Sequence, residues 1–281
     1  MVLIAAAASM SARQTGAPPT TRTIYVAVTD AAGRSVLNMG ATDFVVMENG
    51  SIRSIEVQPA ALPLRVALIV SHQQSLTGRL LPGARALCEA LDGRAEISVI
   101  AVMGNGETLS DFSDRVQDCR DALDRLAAQQ RLGSHSNPEL VEAVLQASST
   151  IRREGRRPAI VVLRGGAERP TPLSGERVRN ALRESGAVIY VASTPRAARQ
   201  VTSPLGLAMS QIIDGAHESG GRHVLMSTGN PAAATRQIAS ELTNSYEIRY
   251  AASVDAKPNA RISVSSNRSG LTIRAPTRVA H

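Results

Sequence analysis

Tryptophan is missing from these 281 residues, phenylalanine occurs twice, tyrosine four times, and Lys257 is the only lysine. With so few aromatics, scattered arginines and no recognisable motif, nucleic acid is not an expected partner. A lysine-poor chain also lacks the usual lysine of a phosphate-binding loop. Gly104-Asn-Gly106 has neither a third glycine nor a following helix start, and reads as a hairpin turn. Val162-Leu-Arg-Gly165-Gly166 is equally short of a phosphate loop. Beyond the N-terminus no apolar run is long enough to cross a membrane. The two cysteines, Cys88 and Cys119, form no metal-ligand spacing; they read as free and buried, with a disulfide as the alternative in an exported chain.

What is present is a chain long enough for one large and one smaller domain, with 43% hydrophobic residues and a net charge of +7. The positive balance is carried almost wholly by arginine, as GC-rich coding would produce. Its densest cluster, Arg152-Arg153-Glu-Gly-Arg156-Arg157, falls where a helix should end, so its expected role is to complement a helix dipole. At the N-terminus, Val2 to Ala8 has the apolar run and small residues of a signal-peptide cleavage region but no charged leader. Residues 1–21 are therefore expected to be a signal-peptide remnant or a disordered tail. The first reading implies an exported protein (periplasmic, cell-surface or secreted), the second a cytoplasmic one.

The centre of the pattern is Val66 to Val70, a continuous apolar, β-branched run that predicts a strand buried on both faces. Polar residues Ser71 to Ser75 follow, then a helix from about Arg79 to Leu91. Strand and helix patterns alternate beyond it. Strands are expected at 97–103, 159–163, 188–191 and 223–226, and helices at 113–126, 138–153, 174–185, 207–218 and 231–242. This predicts a Rossmann-like, doubly wound, mostly parallel α/β sheet over residues 62–243. Gly186, Gly220 and Gly221 stand where helices should end. Period-two alternation marks residues 22–60, with Asn49-Gly50 as a type I′ hairpin turn, and returns in 244–281. The two terminal segments are expected to pair into one smaller β module.

At this point the sequence resembles the bacterial von Willebrand factor A-related (VWFA) domain family. The residues that carry the resemblance are Tyr25-Val-Ala-Val-Thr-Asp-Ala-Ala-Gly33 with Ala41-Thr-Asp43-Phe44 and Asn49-Gly50, then Glu218-Ser-Gly-Gly221, Ile238 to Tyr250 and Ser269 to Arg274. The resemblance implies a vWA-type domain with a metal-ion-dependent adhesion site at the top of its sheet. Such a site uses Asp-x-Ser-x-Ser after the central strand, a threonine in a second loop and an aspartate in a third. Here Ser71 stands at the acidic position, Gln73 at the first serine position, and only Ser75 matches. In the second loop the threonine position falls within Ser136, Asn137 and Pro138, and Gly165 occupies the aspartate position between Arg164 and Gly166. A hard divalent cation needs anionic oxygens to offset its dehydration, and both carboxylates are gone. No metal and no cofactor are expected.

Other chemistries are less well served. Ser71 and His72, adjacent on a loop, cannot aim at each other, and Ser75, His135 and Glu168 lack the Gly-x-Ser-x-Gly elbow of a doubly wound hydrolase. Glu168, or His72 with His135 for zinc, would be needed to rebuild a metal site. The expectation is a non-catalytic, adhesion-type module whose interaction face comprises Ser71, His72, Gln73, Ser75, His135, Ser136, Asn137, Arg164, Gly165 and Glu168. It would meet a protein partner that the sequence does not identify.

Overall fold

The computed structural model describes residues 20–71, 77–102, 107–130, 140–166, 173–199, 207–227, 229–252 and 259–279. Its centre is a six-stranded sheet in the order β10-β9-β8-β5-β6-β7. The strands are β5 (Leu64–Ser71), β6 (Ala95–Val102), β7 (Glu107–Ser113), β8 (Arg157–Arg164), β9 (Val188–Ser193) and β10 (Arg222–Leu225). All pair in parallel except β7, which returns antiparallel along β6. The strand β7 was not foreseen, because Leu109 and Phe112 are its only apolar side chains and do not alternate. Residues 103–106, expected as a turn, lie outside the described set. The apolar strand residues alternate between two helical layers, as strands buried on both faces must. Val66, Leu68 and Val70 pack with α1 (Thr77–Ala90), α2 (Val116–Gln130) and α7 (Pro231–Thr243). Ala67 and Ile69 face α3 (Leu140–Thr150), α4 (Gly175–Ser185) and α6 (Leu207–Glu218). The short α5 (Pro195–Arg199), also unforeseen, follows β9.

The terminal segments come together as the periodicity implied. Strands β1 (Thr21–Thr29), β4 (Ile55–Pro59), β11 (Ser245–Ala251) and β13 (Thr272–Arg274) form an antiparallel sheet in the order β13-β1-β11-β4. A smaller sheet, β12-β2-β3, joins β12 (Ile262–Ser266) to β2 (Phe44–Glu48) and β3 (Ser51–Ile52). The two share one core, with Val26, Val28 and Ile248 from one sheet and Phe44, Val46 and Ile262 from the other. Asn49 and Gly50 turn β2 into β3 with φ of 48° and 83°, the positive values a type I′ turn needs. Tyr246 ties the preceding loop down: its hydroxyl donates to Val36 O at 2.8 Å and accepts from Met39 N–H at 3.1 Å.

Three expectations are corrected. Cys88 and Cys119 are joined in a disulfide between α1 and α2 rather than being free thiols; periodicity placed both on helices but could not show that the helices adjoin. The bond closes a separation of 31 residues. Changing both cysteines to alanine is expected to cost about 2–4 kcal/mol in urea unfolding. A loss under about 1 kcal/mol would show that helix packing alone holds α1 to α2. Second, Gly186 and Gly220 have the left-handed φ of a helix end, 62° and 86°, but Gly221 does not. Gly221 is needed for close approach, since a Cβ there would lie 1.9 Å from Ile189 O. Gly221→Ala should therefore displace β10 from β9 and cost about 2–3 kcal/mol by the same measurement, whereas an unchanged midpoint would mean that the strand shifts freely.

The third correction concerns the arginine cluster, which does more than complement a dipole. Arg152 donates to Glu184 O near the carboxyl end of α4, a neighbouring helix rather than α3, which the cluster follows. Arg153 and Arg156, however, converge with Arg65 on Glu96, at 3.1, 3.0 and 2.8 Å. Arg157 turns inward. Burial of Glu96 opposes its ionised form, but hydrogen bonds from Arg156 and Arg65 and the nearby arginine charges outweigh it, and its pKa is lowered below 4.5. A depressed carboxylate pKa contributes stability that is present above the unfolded value and is lost as pH falls through the folded one. Acid unfolding below about pH 4.5 should therefore be less steep in Glu96→Gln, and identical curves for the two proteins would remove Glu96 from the account.

Candidate functional site

The carboxyl ends of the parallel strands, where open α/β sheets place their ligands, gather four polar side chains across four neighbouring strands. Ser71 ends β5, Arg164 ends β8, Ser193 ends β9, and His223 lies on β10. Along each strand these residues continue the series facing α3, α4 and α6: Ala67, Ile69, Ser71; Ile160, Val162, Arg164; Ile189, Val191, Ser193. Val224 packs on the opposite face, which turns His223 to the same side. The register sets the row, with Arg164 beside Ser193 and the β5–β8 ladder bringing Val70 beside Leu163 one step before Ser71 and Arg164.

The row lies beneath the surface. Ser71, Arg164 and Ser193 are each at most 1% exposed. Ser71 Oγ has no hydrogen-bond partner among the described residues. His223 Nε2 shares a 2.9 Å hydrogen bond with Ser193 Oγ. Burial, then the charges of Arg164 and His217, lower the pKa of His223, so its imidazole is neutral at pH 7. The loop after β8 is pinned to the end of β9: Thr194 N–H donates to Arg164 O at 3.0 Å, and its hydroxyl donates to Gly165 O at 2.6 Å.

Of the residues expected at the interaction face, Ser71, Arg164 and Gly165 meet at this end of the sheet. His72, Gln73, Ser75, His135, Ser136, Asn137 and Glu168 lie outside the described residues. Ser193, Thr194 and His223 were missed. Ser193 and Thr194 end an apolar strand run as Ser71 does, whereas His223 stands at the start of its run and carries no such signal. As a metal centre the arrangement fits poorly. A hydroxyl and a glycine stand where the resemblance implies carboxylates, Arg164 places a positive charge beside them, and no group of three histidine, cysteine or acidic side chains gathers among the described residues. At the other end of the sheet, a cavity of about 180 Å³ lies between the α/β domain and the β module, with Tyr25, Arg157, Tyr190 and Leu242 in its wall.

A parallel sheet closed by one antiparallel edge strand, covered by helices on both faces and carrying its polar row at the carboxyl end, is the α/β fold of a von Willebrand factor A-type domain. Here an antiparallel β module is added. Among solved structures, the chain is similar to proximal thread matrix protein 1 from the mussel byssus, in a form described with a zinc-occupied MIDAS motif. The TM-score is 0.51 at 12% identity, over 69% of this chain and 49% of that one. A second crystal form of the mussel protein gives 0.51 at 7% identity, over 66% and 50%. A von Willebrand factor type A structure from Catenulispora acidiphila gives 0.49 at 8% identity, over 92% and 74%. The chain spans about half the length of the mussel protein, and the likeness is one of fold. No protein-family model matches the sequence, and no curated protein matches it.

Proposed function

We propose that this protein is a non-catalytic interaction module that presents the carboxyl end of its vWA-type sheet to a protein partner without a bridging divalent metal. The observation that carries the reading is Arg164, a buried cation in line with Ser71 and Ser193, where an adhesion site of this fold needs anionic oxygen. Recognition then falls to direct contacts from the segments that follow β5 and β8 and precede α3, which carry His72, Gln73, Ser75, His135, Ser136, Asn137 and Glu168. Arg164, Ser193 and Thr194 are themselves buried, which suits a supporting role rather than contact with a partner. The Cys88–Cys119 disulfide supports an exported location, since such bonds persist in oxidising compartments.

Thermal unfolding in EDTA, and then in millimolar magnesium, manganese, calcium and zinc, tests this reading. No metal is expected to raise the midpoint. A ligand at a hundredfold excess over its Kd adds about 2.7 kcal/mol to the folded state. A saturable rise of several degrees with any one metal would overturn the metal-free reading.

A further inference from the structure

Three sheet edges meet beside β10, at the end of the polar row that His223 marks. In the strand orders, β10 ends the central sheet, β13 ends the four-stranded sheet and β12 ends the three-stranded one. Between them runs a cleft of about 700 Å³. Its walls carry His217, Arg222, His223, Arg261 and Arg274, and no acidic residue lines it among the described ones. Arg222 and Arg274 are steadied from behind by the buried Glu241, at 2.8 and 3.8 Å, while Arg261 and His217 are exposed.

The backbone of β10 suits the same use. Met226 N–H donates to Ser193 O, which turns the peptide groups of residues 222, 224 and 226 toward β9. Those of His223 and Leu225 then face away from the sheet, where β10 has no neighbouring strand among the described residues. Leu225 itself is 61% exposed, one of few large apolar side chains so placed. An edge with unsatisfied peptide groups is a template for another strand, and many proteins blunt such edges with charge. Here the charge is of one sign and lines a cleft beside the edge, which selects a partner instead of repelling every strand.

We propose that this cleft binds an extended acidic polypeptide segment, which adds a strand to the edge of β10 and places its carboxylates against Arg261, Arg222 and Arg274. Backbone hydrogen bonds would supply the alignment and the arginines the preference for acidic side chains. The cleft shares His223 with the polar row but none of the residues proposed as the interaction face, so either can fail without the other.

The probe is a fluorescein-labelled six-residue peptide alternating glutamate and valine, followed by anisotropy with the full chain. It is expected to bind saturably, to weaken as salt is raised, and to lose about tenfold in affinity for Arg261→Glu. A counterpart alternating lysine and valine should not bind, nor should the acidic peptide N-methylated at alternate amides, which cannot complete the edge. Arg261 is exposed, and an unchanged thermal midpoint would confirm that its variant is folded. The proposal is overturned by absence of saturable binding, by equal binding of the N-methylated or lysine peptide, by indifference to Arg261→Glu, or by complete displacement with millimolar inorganic phosphate, which would leave a simple anion site. The metal titration should read the same in Arg261→Glu as in the parent, which keeps the two proposals distinguishable.

Discussion

Glu241→Ala should lower the folding stability of this protein by about 3–5 kcal/mol, read as a shift in the urea midpoint. Glu241 lies on α7 with its side chain fully buried, and Arg222 binds it through Nε at 3.2 Å and Nη2 at 2.8 Å. Arg274 of β13 approaches to 3.8 Å, and the Tyr190 hydroxyl of β9 donates to Oε2 at 3.2 Å. Burial, followed by the charge of Glu241, raises the pKa of the Tyr190 phenol, so it is a neutral donor throughout the working pH range. One carboxylate therefore holds α7, two strands of the central sheet and one of the β module. Without it, two partly buried guanidinium groups lose their counter-charge and a buried hydroxyl loses its acceptor, and breaking a buried pair costs more than its formation contributes. Glu241→Gln keeps an acceptor for Tyr190 but not the charge, so it should fall between the parent and the alanine variant. A loss under about 1 kcal/mol in Glu241→Ala would show that the arginines find other partners.

A loss of about 3–5 kcal/mol is also expected for Arg157→Met, by the same measurement. Arg157 is 7% exposed at the start of β8 and donates to Leu62 O at 2.9 Å, Leu242 O at 3.1 Å and Ser245 Oγ at 2.6 Å. Its guanidinium also lies 5.1 Å from the centre of the Tyr25 ring. These contacts join β8 to the loop after β4, to α7 and to the start of β11, with the Tyr25 ring of β1 beside them. Methionine fills a similar volume but donates nothing, so Leu62 O loses its bond from Arg157 and Leu242 O keeps only the 3.4 Å bond from Ser245 Oγ. Arg157→Lys should recover only part of the loss, because one ammonium cannot reproduce the fork that reaches three acceptors. Full recovery by lysine would mean that charge alone, and not the directed bonds, matters here.

Neither residue stood out in the sequence. Arg157 was one member of a basic run, indistinguishable from Arg152, Arg153 and Arg156 until their partners were placed. Glu241 sat in a helical pattern where an acidic residue ordinarily faces water, and nothing local marks it as buried. The candidate site was half legible. Ser71 was visible because it ends an unmistakable apolar run, and Gly165 with Arg164 because the family resemblance puts Gly165 at the aspartate position of the third loop. Ser193 and His223 belong to the same row but lie 122 and 152 residues after Ser71, and only the strand order brings them beside it.

The alternation of apolar runs with 3.6-period segments, the Asn49-Gly50 turn and the return of period two at both ends were enough by themselves to determine a doubly wound sheet with a terminal β module. Those signals are local: each depends on residues within a few positions of one another, whose burial follows from the strand or helix they form. The tertiary structure alone decided that Cys88 meets Cys119, that Arg65, Arg153 and Arg156 share Glu96, that Gly221 must lack a side chain, and that three sheet edges enclose a basic cleft. Each of these joins residues distant in sequence through strand order and register, and periodicity carries no information about which strands become neighbours.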